Sequence, residues 1–111
     1  MLTALADLNT RDHEIILLRH ALDTLRWDQE TGLPPRGIAE RSEQIALLEG
    51  LIHDKITDPR QGELFAAIGM SEKTRLGPPG LSDETRAFLR EAYRRYTKSI
   101  KVPKTLVQEI A

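Results

Sequence analysis

The histidines are the first residues in this sequence whose type suggests metal chemistry. A zinc helix of the HExxH kind needs a second histidine one turn after the first, so that both imidazoles reach the same ion. His13-Glu14 begins such a pattern, but the residue one turn later is Leu17. His20 shares a helical face with His13, yet no third ligand is evident, and His53 lies near a predicted helix end, where it can interact with the helix dipole. We therefore predict neither catalytic nor metal-ligating residues in this chain.

A second candidate for chemistry is the acidic pair Asp28 and Glu30 beside Trp27. Paired carboxylates can perform acid–base catalysis when their surroundings push their pKa values apart. At a spacing of two, however, these carboxylates do not share a helix face, so a cap or turn role is the simpler interpretation. We place the segment in a loop and expect Trp27, the only tryptophan, to close the end of a helical hairpin.

The third candidate is a stripe of positive charge late in the chain. Four basic side chains follow one another at i, i+4 spacing: Arg86, Arg90, Arg94 and Lys98. Such a stripe could contact phosphates of nucleic acid or an acidic partner. It could equally be a solvated helix face, on which Glu91 would pair with Arg95.

The distribution of charge and aromatic residues disfavours nucleic acid. Residues 1–82 hold 9 basic and 13 acidic side chains, whereas residues 83–111 hold 7 basic and 4 acidic, and the net charge of the whole chain is −1. A protein that depends on phosphate contacts is usually basic overall. Tyr93 and Tyr96 lie on the apolar stripe of the predicted helix, which indicates core packing instead of base stacking.

The composition is that of a single small globular domain. The chain has 111 residues, is 40% hydrophobic and 30% charged, and contains no cysteine, which excludes disulfides, thiolate metal sites and a cysteine nucleophile. No apolar run is long enough to span a bilayer, and no basic segment followed by an apolar stretch indicates a signal peptide. We therefore predict a cytoplasmic protein without a membrane partner.

The elements that must position these side chains are helices, because apolar residues recur at three- and four-residue steps and no alternating strand pattern is present. The predicted fold is all-α: a long antiparallel helical hairpin plus two or three further helices. The predicted helices cover 3–26, 38–55, 59–68, 83–100 and 103–111. Asp58 before Pro59 and Ser82 before Asp83 are helix-start signals, and Gly69 is a stop signal.

Two turns of the hairpin are apolar all round. Residues 15–18 (IILL) and 45–48 (IALL) are consecutive apolar runs, so their side chains point in several directions around each helix. One neighbouring helix cannot bury them all. The last predicted helix also reaches Ala111 with its apolar pattern unbroken and without a capping residue. Both features lead us to expect a domain that belongs to a larger protein, and the exposed apolar turns predict self-association of the isolated piece.

The segment between the two long helices carries a family resemblance. Trp27-Asp28-Gln29-Glu30-Thr31, followed after two residues by Pro34-Pro35, resembles the WDQETxxPP segment of the thermostable (Taq-type) metallocarboxypeptidases. Later segments are also similar to that family: residues 40–48 (ERSEQIALL), 53–64, which contain KITDP and GEL, 81–83 (LSD) and 101–107. The resemblance therefore covers nearly the whole chain, in order.

The resemblance implies a helical N-terminal domain of a much longer enzyme. Members of that family remove C-terminal residues from peptides in a deep groove. Their HExxH helix, far downstream, binds a zinc-type metal whose bound water attacks the peptide bond, with the motif glutamate acting as base. None of those catalytic residues maps onto this chain, so the 111 residues alone are expected to be inactive and free of cofactor. The implied role of residues 1–111, and of the motif residues in particular, is to form part of the wall or lid that shapes substrate access.

The implied partners are the rest of the carboxypeptidase and, for the whole enzyme, peptide substrates. The main alternative is a stand-alone helical module for protein interactions that descends from the family. A third, weaker alternative is a binder of nucleic acid or acidic partners that uses Arg86, Arg90, Arg94 and Lys98.

Overall fold

A computed structural model of the protein contains four helices among the residues that it describes. The structure describes residues 2–32, 35–71, 73, 77–103, 106 and 108. The helices are α1 (Leu2–Glu30), α2 (Pro35–Thr57), α3 (Pro59–Ile68) and α4 (Asp83–Ser99). No strand occurs among the described residues, so the prediction of an all-α fold is confirmed.

The long helices α1 and α2 form an antiparallel hairpin. Three ion pairs join them, and as the residue number rises along α1 that of the partner falls along α2: Glu14 with Lys55, Arg26 with Glu49 and Asp28 with Arg41. At 1.5 Å per residue, the 29 residues of α1 span about 44 Å. The hairpin therefore sets the length of a molecule that measures 54 × 25 × 19 Å.

The corner between α1 and α2 is tighter than predicted. The prediction ended α1 at residue 26 and placed Trp27 to Glu30 in a loop, but α1 continues to Glu30. Nothing in residues 27–30 breaks a helix; the first residue that does is Gly32, whose φ of +125° suits glycine. Pro35 is the first residue of α2, a position where a missing N–H costs nothing. Pro34 lies outside the described residues.

The caps of the two shorter helices are confirmed. The Asp58 side chain accepts a hydrogen bond from the Arg60 backbone N–H at 2.9 Å, and Ser82 Oγ accepts one from the Thr85 N–H at 3.2 Å. Gly69 ends α3 in the left-handed conformation, with φ of +98°. These local signals fixed the bounds of α3 and the first residue of α4 correctly.

The core is divided into two apolar clusters along the molecule. The hairpin cluster consists of buried residues of α1 and α2: Ile15, Leu22, Ile45, Ile52 and Ile56. The end cluster joins the start of α1 to α3 and α4: Leu8, Leu64, Phe65, Ile68, Met70, Leu89 and Ala92. Among the described residues, only helices α1 and α2 contribute buried side chains to the hairpin cluster.

Tyr93 and Tyr96 pack against the end cluster, as the sequence predicted. Their ring centroids lie 5.1 Å and 5.4 Å from that of Phe65. Ile100, four residues after Tyr96, is 50% exposed because it follows the last residue of α4. The predicted fifth helix over 103–111 falls mostly outside the described residues; within it, Gln108 Nε2 donates a hydrogen bond to the Ala46 carbonyl at 3.3 Å.

Candidate functional site

The motif residues lie together at the hairpin corner, on the last turn of α1 and just beyond it. Asp28 Oδ2 accepts a hydrogen bond from Arg41 Nη1 at 2.8 Å, and the same nitrogen lies 3.4 Å from the Leu25 carbonyl oxygen. Only 17% of the Arg41 side chain is exposed, whereas 59% of the Asp28 side chain is. The predicted cap or turn role of Asp28 is therefore wrong: Asp28 lies within α1 and pairs the end of that helix with α2.

Two more motif residues have structural roles at this corner. Gln29 Nε2 donates to Ser42 Oγ at 3.3 Å, which adds a second link between α1 and α2. The Thr31 hydroxyl and backbone N–H both donate to the Trp27 carbonyl, at 2.9 Å and 3.0 Å. Together these bonds satisfy a carbonyl that the end of α1 would otherwise leave unpaired.

Trp27 does not close the hairpin, contrary to the prediction. It is 67% exposed, because the additional helical turn points the indole away from α2. Glu30 is exposed as well. Trp27 lies two turns from His20 and three turns from Ile16 along one outer stripe of α1, and both of those side chains are also exposed.

Exposed apolar side chains occur on both long helices. Leu17 on α1 is 54% exposed, and Leu47 and Leu51 on α2 are 61% and 43% exposed. We call Ile16, Leu17, Trp27, Leu47 and Leu51 the outer apolar residues. Ile16, Leu17 and Leu47 belong to the two apolar runs, whose side chains we predicted that a single neighbouring helix could not bury.

No three His, Asp or Glu side chains in the described part of the chain are placed to share a metal ion. His13 and His20 are exposed on α1, and His53 is half-buried on α2. The residues that the structure describes therefore do not fit a catalytic zinc site. Among the described helices, none is long and apolar enough to cross a membrane.

The basic stripe of α4 divides into two halves. Arg94 and Lys98 line a cleft of about 410 Å³, together with Arg19 from α1, His53 from α2 and Arg95 from α4. Arg86 and Arg90 do not line it. The stripe is therefore not one uniform surface, and we call this space between α1, α2 and α4 the basic cleft.

The sequence suggested that Arg95 pairs with Glu91, but it does not. Arg95 bonds with Asp12 of α1, and their side chains are only 21% and 13% exposed. Glu91 instead lies 3.5 Å from Arg94, with both side chains mostly exposed. The contact between α4 and α1 decides this pairing, and a helical repeat alone does not reveal it.

Sequence reasoning also missed Arg41, Ser42 and Arg19 as residues of these sites. Their partners lie 13 or more residues away, on another helix, so recognising them requires the register of the hairpin. The motif at residues 27–31 pointed to one side of the corner only.

Comparison with known proteins identifies the group to which this sequence is similar. The family described as carboxypeptidase Taq (M32) metallopeptidase matches residues 7–111. Thermostable carboxypeptidase 1 of Thermus thermophilus is 35% identical over 85 residues, which are 77% of this chain but 16% of that protein. The chain thus corresponds to a small part of the relative's length. No solved structure matches.

Proposed function

This chain belongs to the carboxypeptidase Taq (M32) metallopeptidase family, and we propose that it acts as the N-terminal helical domain of such an enzyme, where it shapes the access of peptides to the catalytic groove. The observation that carries the proposal is the family match over 7–111 combined with the motif at the hairpin corner. The comparisons do not favour the alternative of a stand-alone interaction module.

The outer apolar residues support a role within a larger enzyme. Trp27 and Leu47 each expose more than half of their side chain, and removing such surface from water is worth about 25 cal/mol per Å². Several large apolar side chains exposed on two neighbouring helices are typical of a face that another protein segment covers. We propose that the catalytic region of the carboxypeptidase is that segment.

The metal chemistry of the family is assigned to that catalytic region. A bound zinc-type ion would supply an activated water for attack on the last peptide bond. The described residues of this chain offer no ligand group for the ion. The proposed contribution of these helices is to hold the corner and the outer face in place while peptide enters.

The corner gives a direct test in the full-length enzyme. Arg41→Ala removes the bond to Asp28 and loosens α1 from the start of α2. If the domain shapes access, KM for peptides should rise about three- to tenfold while kcat stays within about twofold, because binding geometry changes and the reacting groups do not.

Arg90→Ala is the matched control, since it removes an exposed arginine away from the corner. It should leave both kinetic constants unchanged. An Arg41→Ala enzyme with unaltered KM, or with a loss in kcat alone, would contradict the access role.

A further inference from the structure

We infer that the basic cleft is a binding site for a small polyvalent phosphate. Side chains from three helices converge on it: Arg19 of α1, His53 of α2, and Arg94, Arg95 and Lys98 of α4. This inference is independent of the proposed role in substrate access, because the cleft and the hairpin corner share no residue.

The charge of the cleft favours an anion. Among its lining residues four carry a formal positive charge, and Glu91 is the single acidic one. The chain as a whole has a net charge of −1, so the positive charge is a local feature. Walls of low dielectric around a cleft strengthen the field of such a cluster relative to scattered surface charges.

Two of the cations in the cleft already have acidic partners, and these pairs differ in strength. Arg95 is held by Asp12, and its Nε is buried without a hydrogen-bond partner among the described residues. Arg94 is only loosely paired with Glu91, because the 3.5 Å contact joins side chains that are 71% and 64% exposed. Arg94 can therefore turn towards a ligand at little cost, whereas Arg95 contributes charge from a fixed position.

The remaining cations come from different helices. Arg19 and Lys98 are both exposed at the cleft, and no ion pair to either is found within the described part of the chain. Arginine binds two oxygens of a phosphate through its planar fork, and lysine acts as a point charge. Ser99 adds a hydroxyl donor to the same lining.

The size of the cleft favours a ligand larger than a single phosphate ion. A space of about 410 Å³ lies within the range of small-molecule sites and exceeds what a single phosphate fills. Two sources of the ligand share this chemistry: an inorganic polyphosphate, and a phosphate group carried by a small organic molecule. Val102 supplies an apolar contact that only the organic body would use.

Isothermal titration calorimetry of the 111-residue chain at low salt tests the site with three probes: inorganic phosphate, pyrophosphate and glucose 6-phosphate. We expect pyrophosphate to bind more tightly than phosphate, with a Kd at or below about 1 mM. Tighter binding of glucose 6-phosphate than of pyrophosphate would identify the organic source. Failure of all three probes to bind at about 10 mM would overturn the inference.

Charge-matched variants separate a site from diffuse attraction. Arg19→Gln and Lys98→Gln should each weaken pyrophosphate binding about fivefold or more, a loss of about 1 kcal/mol. Arg90→Gln removes the same charge from the same stripe outside the cleft and should change the Kd less than twofold. Equal weakening by Arg90→Gln would overturn the site, because it would show that only net charge matters.

NMR of the unaltered chain provides a measurement that does not depend on variants. Pyrophosphate should shift the resonances of His53 and Val102 at low concentration and leave those of Arg86 in place. Shifts spread evenly over the basic side chains of the chain would show adventitious ion binding and contradict the inference.

Discussion

Asp12 of α1 and Arg95 of α4 form the most shielded ion pair among the described residues. The two residues are 83 positions apart, and both side chains are largely shielded from water. A buried charge that loses its partner keeps its desolvation cost without the compensating attraction. This pair therefore matters far more than the exposed ion pairs along the surface.

We predict that Asp12→Ala lowers the free energy of unfolding by about 2–4 kcal/mol, because it leaves the Arg95 guanidinium shielded and unpaired. Urea unfolding followed by circular dichroism measures the change. Glu91→Ala, which removes the partner of exposed Arg94, should cost less than about 1 kcal/mol. Equal losses in the two variants would contradict this account of the α1–α4 contact.

Gly62 in α3 is a second residue with a specific steric role. A Cβ added there would lie 2.6 Å from the Tyr96 hydroxyl oxygen, and the Tyr96 ring is confined by Phe65 and Tyr93. Alanine would otherwise stabilise this helical position by about 1 kcal/mol. The glycine therefore allows α4 to pack closely against α3.

We predict that Gly62→Ala destabilises the chain by about 1–2 kcal/mol, because the clash outweighs the gain in helix propensity. In a Tyr96→Phe background, which removes the hydroxyl oxygen, the same substitution should be neutral or stabilising. Thermal unfolding of the four proteins in this cycle gives the coupling. Identical effects of Gly62→Ala in both backgrounds would show that the close approach has no energetic consequence.

At the scale of the elements, sequence prediction succeeded where the signal was local. The start and end of α3 followed from Asp58, Pro59 and Gly69, whose capping chemistry depends on nearby backbone only. The end of α1 was wrong by one turn, because the break at Gly32 was assigned too early. Core positions such as Ile15 and Ile45 followed from helical period, and both are buried.

The site was less accessible to prediction, because its contacts join different helices. The motif indicated Asp28 and Gln29, but it did not indicate that their hydrogen-bond partners are Arg41 and Ser42. The basic stripe indicated Arg94 and Lys98, but not that Arg19 and His53 face them across a cleft. Such pairings depend on helix register and packing, and one sequence without its fold does not specify them.

The outer face of α2 gives a prediction at the element scale. Leu47 and Leu51 lie one turn apart and are both exposed, so the isolated chain should self-associate through this face. Light scattering across a concentration series should show an average mass above that of the 12.6 kDa monomer. Replacing both leucines with glutamine should restore the monomer mass and leave stability nearly unchanged.

Ile100→Gln is the control for that pair, since Ile100 is also 50% exposed but lies beyond α4. It should not alter the mass. A monomeric unaltered chain at high concentration, or an equal effect of Ile100→Gln, would show that the outer face of α2 does not drive association.

At the scale of the whole molecule, the division of the core supports the proposal that another region of the enzyme covers the hairpin. The end cluster draws on α1, α3 and α4, whereas the hairpin cluster is a single seam between α1 and α2. Trp27 and the corner lie at the far end of that seam, away from the end cluster. We propose that this hairpin contacts the catalytic region of the enzyme.

The measurement that tests this account most directly is release of the C-terminal amino acid from a peptide, by the chain alone and by the full-length enzyme, both with added zinc. We predict no release by the chain alone, and zinc-dependent release by the full-length protein that falls when residues 2–57, which comprise α1 and α2, are deleted from it. Release by the isolated 111 residues, or full activity after the deletion, would contradict the assignment of these helices as an access domain.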